Sequence, residues 1–380
     1  MAENCSKAFN LCNLYSDKRH TDHTCFLDPE GGPSIQRFDV VRHTSVLKLN
    51  EQMLSLFWRP EEIDLSKDKG DFAKLPEFQQ KIFTEVLLRA VLLDSVQGRA
   101  PFEILGPISS LPEVEASLLT QTFFENIHSQ SYSHIIRAVY PNPDETFDRM
   151  KDITEIVACA KDISLYFDNV HRFNVIRDAV NLDIVDISMY NEYEHKKAVY
   201  LLLVSINALE ALRFHSAFAV FFAFAEAGYL QGVSKILMMI ARDEQLHVSL
   251  TSQLLNILPK EDPIFTKIAE DCYSEMVDIY KSVVDQEIEW IRYIFSHGVL
   301  LGLNEQILTD YCYYLARTRL HKFGVKSADI PYPSVKNPIP WMKNYLDTGS
   351  LQVAPQEVEQ INYVQGQIDK ADLDAFEFDL

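Results

Sequence analysis

Apolar residues recur at three- and four-residue intervals along most of the chain, the spacing that turns one side of an α-helix toward a core. The pattern starts at Val46, continues through Leu47, Met53, Leu54 and Phe57, and is closed by Pro60. It then predicts long helices over roughly 76–99, 112–139, 153–180, 194–229, 231–257, 264–296 and 304–322. Several exceed the usual three or four turns, which favours an all-α bundle. The most apolar stretch, 198–230, is interrupted by Asn207, Glu210, Arg213, His215 and Glu226. A membrane span needs about 20 nearly uncharged residues, so this stretch reads as a central helix buried in protein.

The two ends break the pattern. Residues 1–34 are polar and punctuated at Gly31-Gly32-Pro33, and are expected to form a poorly ordered leader outside the core. Four prolines between Pro331 and Pro340 end the helical region, so the main domain is expected to span 35–341. Residues 342–380 read as a flexible tail. After Leu346 it carries eight acidic residues against one lysine, with Tyr363, Phe376, Phe378 and Leu380 spread along it, a composition suited to folding onto a partner.

Composition narrows the picture. With 47% hydrophobic residues in 380 the chain has a sizeable core, and 12 glycines with 16 prolines are too few for the turns of an all-β fold. A net charge of -20 argues against unaided binding to nucleic acid or anionic membrane. The six cysteines form no CxxC pair and follow no signal peptide, which fits a reducing cytoplasm. Cys5, Cys12, His20, His23 and Cys25 contain zinc-binding residue types, but their spacings match no common finger, and the set is put aside.

Two motifs carry the chemistry. Glu125-Asn126-Ile127-His128 and Glu244-Gln245-Leu246-His247 are both Glu-x-x-His within helical, apolar surroundings, so each pair shares a helix face directed at the core. Asp94 lies in the apolar stripe with Leu87, Ala90 and Val91, and Glu210 lies among Leu203, Ile206, Phe214 and Ala217. Asp94 precedes the first motif by 31 residues and Glu210 precedes the second by 34, each about one helix and a turn. The chain therefore repeats a helix pair: a carboxylate, then Glu-x-x-His. Four unpaired buried carboxylates would cost several kcal/mol apiece. Two divalent cations would cancel them, each gaining one imidazole, and so oxygen-rich a donor set suits iron or manganese better than zinc. This is the pattern of the ferritin-like dimetal-carboxylate bundle. Tyr132, one turn after His128 on the same face, lies within reach of oxidation by such a centre.

The segments Phe57-Trp58-Arg59-Pro60-Glu61-Glu62, Leu93-Asp94-Ser95-Val96-Gln97-Gly98-Arg99, Glu125 through Tyr132, Asn207-Ala208-Leu209-Glu210 and Ala241-Arg242-Asp243-Glu244 resemble the small, radical-generating subunit of class I ribonucleotide reductase. The tail segment Val353-Ala354-Pro355-Gln356-Glu357-Val358-Glu359 is similar to that family as well, and the likeness runs from about residue 35 to the C terminus.

The resemblance implies that Asp94, Glu125 and His128 hold one metal and Glu210, Glu244 and His247 the other. The pair would most readily be iron, with two manganese ions or a mixed pair as alternatives. It implies that dioxygen reacts with the reduced metals to produce an oxidant that takes an electron and a proton from Tyr132. Phe214, Phe218 and Ile240 would line the apolar pocket that shields the resulting tyrosyl radical. Trp58, joined through Asp243 to His128, would begin radical transfer, and Tyr363 would be its exit. The radical would pass to a large catalytic subunit, bound through the C-terminal tail, that reduces ribonucleoside diphosphates for deoxyribonucleotide synthesis and DNA replication. Glu357 would serve communication with that subunit, and the small subunit is expected to be a homodimer. His215 departs from the family, standing where relatives often carry a phenol, and the 181–195 connection looks short. The other readings of twin Glu-x-x-His motifs are a dimetal oxygenase or desaturase and a ferritin-like iron store. Neither requires Tyr132, Trp58 and a tyrosine-bearing tail together.

Overall fold

The computed structural model describes residues 18–32 and 35–346, and within them the regular structure is helical. The helices are α1 (Thr44–Ser55), α2 (Asp68–Lys74), α3 (Glu77–Gln97), α4 (Ala100–Leu105), α5 (Pro112–Val139), α6 (Pro143–Asp148) and α7 (Thr154–Asn181). They continue as α8 (Glu192–Ala208), α9 (His215–Glu226), α10 (Gln231–Glu261), α11 (Pro263–Asp271), α12 (Tyr273–Phe295), α13 (Glu305–Lys322) and the short α14 (Lys343–Leu346). Among the described residues the only β features are isolated bridges, Phe26 with Ser109 and Leu300 with Leu303.

Local chemistry sets several of the boundaries. Pro112 and Pro263 stand at helix starts, where the missing N–H costs nothing. Asn191, Asp262 and Asn304 each accept a hydrogen bond from a backbone N–H of the first turn. Leu230 takes a left-handed conformation, φ 54°, just before α10 begins.

The continuous helix expected over 194–229 is one rod in two phases. Between α8 and α9, residues Leu209–Phe214 form a single wide π-helical turn. Such turns carry no strong sequence signal and cluster at functional sites. The rod is buried on nearly every side, including each residue from His215 to Ala225. By composition and length Ile187–Glu226 could cross a membrane, but its most apolar stretch lies wholly inside the protein, as expected of a core helix. Burying an aromatic such as Phe218 or Phe222 contributes roughly 1.5–3 kcal/mol. Around the rod pack α7, α10, α11 and α12, while α5 joins α1 and α3 to close the other side.

Three expectations are corrected. The stretch 264–296 is interrupted at Cys272. Hydrogen bonds still bracket the break, from Cys272 N–H to the Ile268 carbonyl at 2.8 Å and from Met276 N–H to Cys272 at 2.9 Å, so the apolar period passes through it undisturbed. Residues 23–28, expected outside the core, lie within it: Cys25 and Phe26 are fully buried, and Leu27 N–H bonds to the Ile108 carbonyl at 2.9 Å. Packing also continues past the expected boundary at 341. Met342 and Leu346 are buried, and the Gln245 side chain donates to the Leu346 carbonyl at 2.9 Å.

Candidate metal centre

The two carboxylate-then-Glu-x-x-His pairs meet in the middle of the bundle. Asp94 on α3, Glu125 and His128 on α5, Glu210 in the π-turn, and Glu244 and His247 on α10 are all fully buried. Their donor atoms form two overlapping clusters. One holds Asp94, Glu125, His128 and Glu244 and the other Glu125, Glu210, Glu244 and His247, with all ligand atoms of each within 4.8 Å of one another. Glu125 and Glu244 belong to both, the position a bridging carboxylate takes.

Both imidazoles turn Nδ1 inward. His128 Nδ1 lies 3.5 Å from Glu125 and 3.2 Å from Glu244, and His247 Nδ1 lies 3.2 Å from Glu125 and 3.3 Å from Glu244. The outer nitrogens differ. His128 Nε2 is 3.3 Å from Asp243 Oδ2, which also accepts the Trp58 indole N–H at 2.7 Å, whereas His247 Nε2 is buried without a hydrogen-bond partner. The Trp58 and His128 rings stack at 6.4 Å.

Carboxylates this deep cannot all be charged. Burial, followed by the Glu125 and Glu244 carboxylates, holds Asp94 well above the usual carboxylate range. Burial likewise pushes Glu210 well up, with His247 opposing and Glu244 and Glu125 adding to the rise. Burial also works against ionisation of Glu125, but the close His128 and His247 rings outweigh it and hold that acid low. Both histidines are pushed well up despite burial, His128 by Asp243, Glu125 and Glu244 and His247 by Glu125 and Glu244. The cluster thus balances its charge by holding protons, which divalent cations would displace.

The donor set fits such ions. Both oxygens of Asp94 and of Glu125, one each of Glu210 and Glu244, and Nδ1 of His128 are buried with no aligned hydrogen bond. A pair of oxygen-preferring cations would take the place of the protons the cluster holds, on donor atoms that no other aligned group claims.

Tyr132 is fully buried on α5. Its hydroxyl comes near enough to Asp94 for each to perturb the other, though no aligned hydrogen bond joins them. Burial, then Asp94 and Glu244, pushes the phenol well above its ordinary pKa, so it stays protonated. Phe214, Phe218 and Ile240 are fully buried, with Phe214 and Phe218 stacked at 6.2 Å. The His215 Nδ1–H donates to the Glu210 carbonyl at 3.0 Å, and burial, aided by Arg319, lowers that histidine to about 4. Tyr363 and Glu357 lie outside the described residues.

Two residues were missed from sequence. Gln97 and Gln121 each donate to Glu210 Oε1 at 2.9 Å and fix its orientation. Helical spacing held the signal, since Gln97 is three residues after Asp94 and Gln121 four before Glu125, on the ligand faces. Gly98 permits the close approach of the end of α3 to α5, because a Cβ there would lie 2.9 Å from the Glu125 Cβ.

The comparisons with known proteins agree with one another. The family described as "Ribonucleotide reductase, small chain" matches residues 37–338. The ribonucleoside-diphosphate reductase subunit beta of Buchnera aphidicola (subspecies Baizongia pistaciae) is 42% identical, over 88% of this chain and 90% of its own length. That of Haemophilus influenzae is 41% identical over 91% and 93%. In structure, the chain is similar to the ribonucleotide reductase R2 subunit from Clostridium botulinum, with TM-score 0.69 and 25% identity over 85% of this chain and 94% of that one. It also shares its fold with the dimanganese(II)-NrdF of Streptococcus sanguinis, with TM-score 0.66 and 20% identity over 82% and 99%. With its helices gathered around a carboxylate–histidine core, the chain belongs to the ribonucleotide reductase small-chain family, the beta subunits of an oxidoreductase.

Proposed function

We propose that this chain generates and stores a tyrosyl radical at Tyr132 for use by a large catalytic subunit in reducing ribonucleoside diphosphates. The observation that carries the reading is the pair of buried ligand clusters sharing Glu125 and Glu244, with Tyr132 buried against Asp94. Asp94, Glu125 and His128 would hold one ion, Glu210, Glu244 and His247 the other, and iron is the first choice on this oxygen-rich set. When bound, the metal pair supplies the power to draw on dioxygen for an oxidation that a protein side chain cannot perform.

The chain's own residues set what that oxidation reaches. Asp94 stands beside the Tyr132 hydroxyl and, once a bound cation has displaced its own proton, would be placed to receive that of the phenol as the electron leaves. Phe214, Phe218 and Ile240 keep the surrounding wall apolar, so water and small reductants are excluded. Asp243 orients His128 and joins it to Trp58 through one shared oxygen, which gives a hydrogen-bonded route from the cluster toward α1. Onward transfer would use Tyr363 in the C-terminal tail, which would bind the large subunit. Assembly as a homodimer is supported by Leu54, Leu119 and Phe123, large apolar side chains left about half exposed on the adjoining helices α1 and α5. Function in the cytoplasm accords with cysteines that are free and buried among the described residues.

Anaerobic loading with ferrous iron followed by oxygen tests the proposal. About two metals per chain and a tyrosyl electron paramagnetic resonance signal are expected. No signal under any metal tried, or a signal that survives Tyr132→Phe, would refute it.

A further inference from the structure

The cysteine grouped with His20 and His23 by its place in the sequence meets other partners in the fold. His20 Nε2 lies 2.8 Å from the Val40 carbonyl, and His23 pairs loosely with Asp28 at 3.6 Å. Cys25 instead lies with His43, the residue before α1, and Glu261, the last residue of α10. Their sulfur, nitrogen and carboxylate oxygen are all within 4.8 Å of one another. We propose that these three residues form a separate site for one zinc-type divalent cation, clamping the N-terminal segment to the start of α1 and the end of α10.

The donor chemistry differs from that of the bundle centre. One thiol, one imidazole and one carboxylate are the mixture that zinc accepts, leaving a fourth position for water. The donors are already held in place. The Cys25 N–H donates to Glu261 Oε1 at 2.6 Å, the His43 N–H donates to Glu113 at 2.9 Å, and Arg42 holds the Asp22 and His23 carbonyls at 2.9 and 2.6 Å. Glu261 Oε1 is thus occupied, while Oε2 and His43 Nε2 share a hydrogen bond of 3.0 Å. Binding an ion through Nε2 requires giving up that bond, loosening the 3.6 Å pairing of Oε2 with Arg42 Nε, moving the Nε2 proton to Nδ1 of the same ring, and releasing the thiol proton to solvent. Cys25 is fully buried and the Glu261 carboxylate nearly so, while the partly exposed His43 ring gives an ion its side of entry.

Without an ion, charge disfavours the thiolate. Burial, then Glu261 and Glu113, keeps the Cys25 thiol well above its ordinary pKa. A bound divalent cation reverses this, since a coordinating thiol is deprotonated. The thiolate, Glu261 and Glu113 then carry three negative charges, which the cation and Arg42 cancel. The site does not depend on the reading of the dimetal centre, and its test is independent of it.

Cobalt(II) titration of the full-length chain provides that test, because the central cluster offers no sulfur and cannot give a sulfur-to-cobalt charge-transfer band. The band is expected to saturate at about one Co2+ per chain and to be bleached by Zn2+. It should vanish in Cys25→Ser and persist in Cys272→Ser and Cys312→Ser, whose thiols are buried elsewhere. No band in the wild type, or one that survives Cys25→Ser, overturns the proposal. If Cys25→Ser loses its helical circular dichroism, Glu261→Gln and His43→Gln decide, since both keep the thiol. Their Co2+ binding should weaken at least ~10-fold, and unchanged binding would refute the site.

Discussion

The two halves of the central cluster look like copies in sequence but not in their surroundings. The half with Asp94, Glu125 and His128 borders groups that can carry an electron: Tyr132 by Asp94, and Trp58 reached through Asp243. The half with Glu210, Glu244 and His247 borders groups that hold position. Two amides fasten Glu210, and the outer nitrogen of His247 has no hydrogen-bond partner. Repetition of a helix pair accounts for the six candidate ligands, and the asymmetry of what touches them is what the proposed radical transfer would use.

Four experiments would break or sharpen this contrast. The largest effect is expected where the halves are joined: Glu125→Ala or Glu244→Ala should lose both ions, whereas Asp94→Ala or Glu210→Ala should weaken chiefly one, read by metal analysis after desalting. Equal losses from all four variants would mean the halves are not bridged. Next, Trp58→Phe should leave the radical signal in place and abolish turnover with the large subunit, if the hydrogen-bonded path through Asp243 carries the radical outward. Retained turnover would move the route elsewhere. On the second half, Gln97→Leu and Gln121→Leu should each weaken metal binding by roughly 10–100-fold without moving the tyrosyl spectrum. A changed spectrum would show that the halves are electronically coupled through Glu210.

The last concerns His215, beside that same half, and touches stability and not the metals. Its folded pKa of about 4 lies below the value near 6.5 of an unfolded histidine. Between those pH values the unfolded chain binds the extra proton, so stability falls as pH drops through the window, by up to about 3 kcal/mol. His215→Gln should flatten that part of a metal-free denaturation series, and an unaltered slope would mean the group is not held neutral.

Much of this was legible before any coordinates. The clustering of the six candidate ligands follows from helical spacing and the cost of burying acids, and most of the helices from apolar periodicity. Three features were hidden for physical reasons. The π-turn at Leu209–Phe214 contains neither proline nor glycine to announce it. Gln97 and Gln121 are neutral and raise no charge to be balanced, although their spacing placed them beside the ligands. The burial of Cys25 and Phe26 rests on contacts with the segment before α5 and with the far end of α10, which no local pattern encodes.

The π-turn also carries an implication for how this centre can change. Each residue rotates a helix by about 100°, so one wide turn offsets the faces on either side of it by a fixed angle. Ahead of it, Asn207 grips the Val248 carbonyl, Thr251 and Ser252, while from its last residue onward Phe214, Phe218 and Phe222 stack in line. Deleting one residue between 209 and 214 would act like turning a key: Glu210 would keep its neighbours ahead, and the whole aromatic row would swing round to present a different wall.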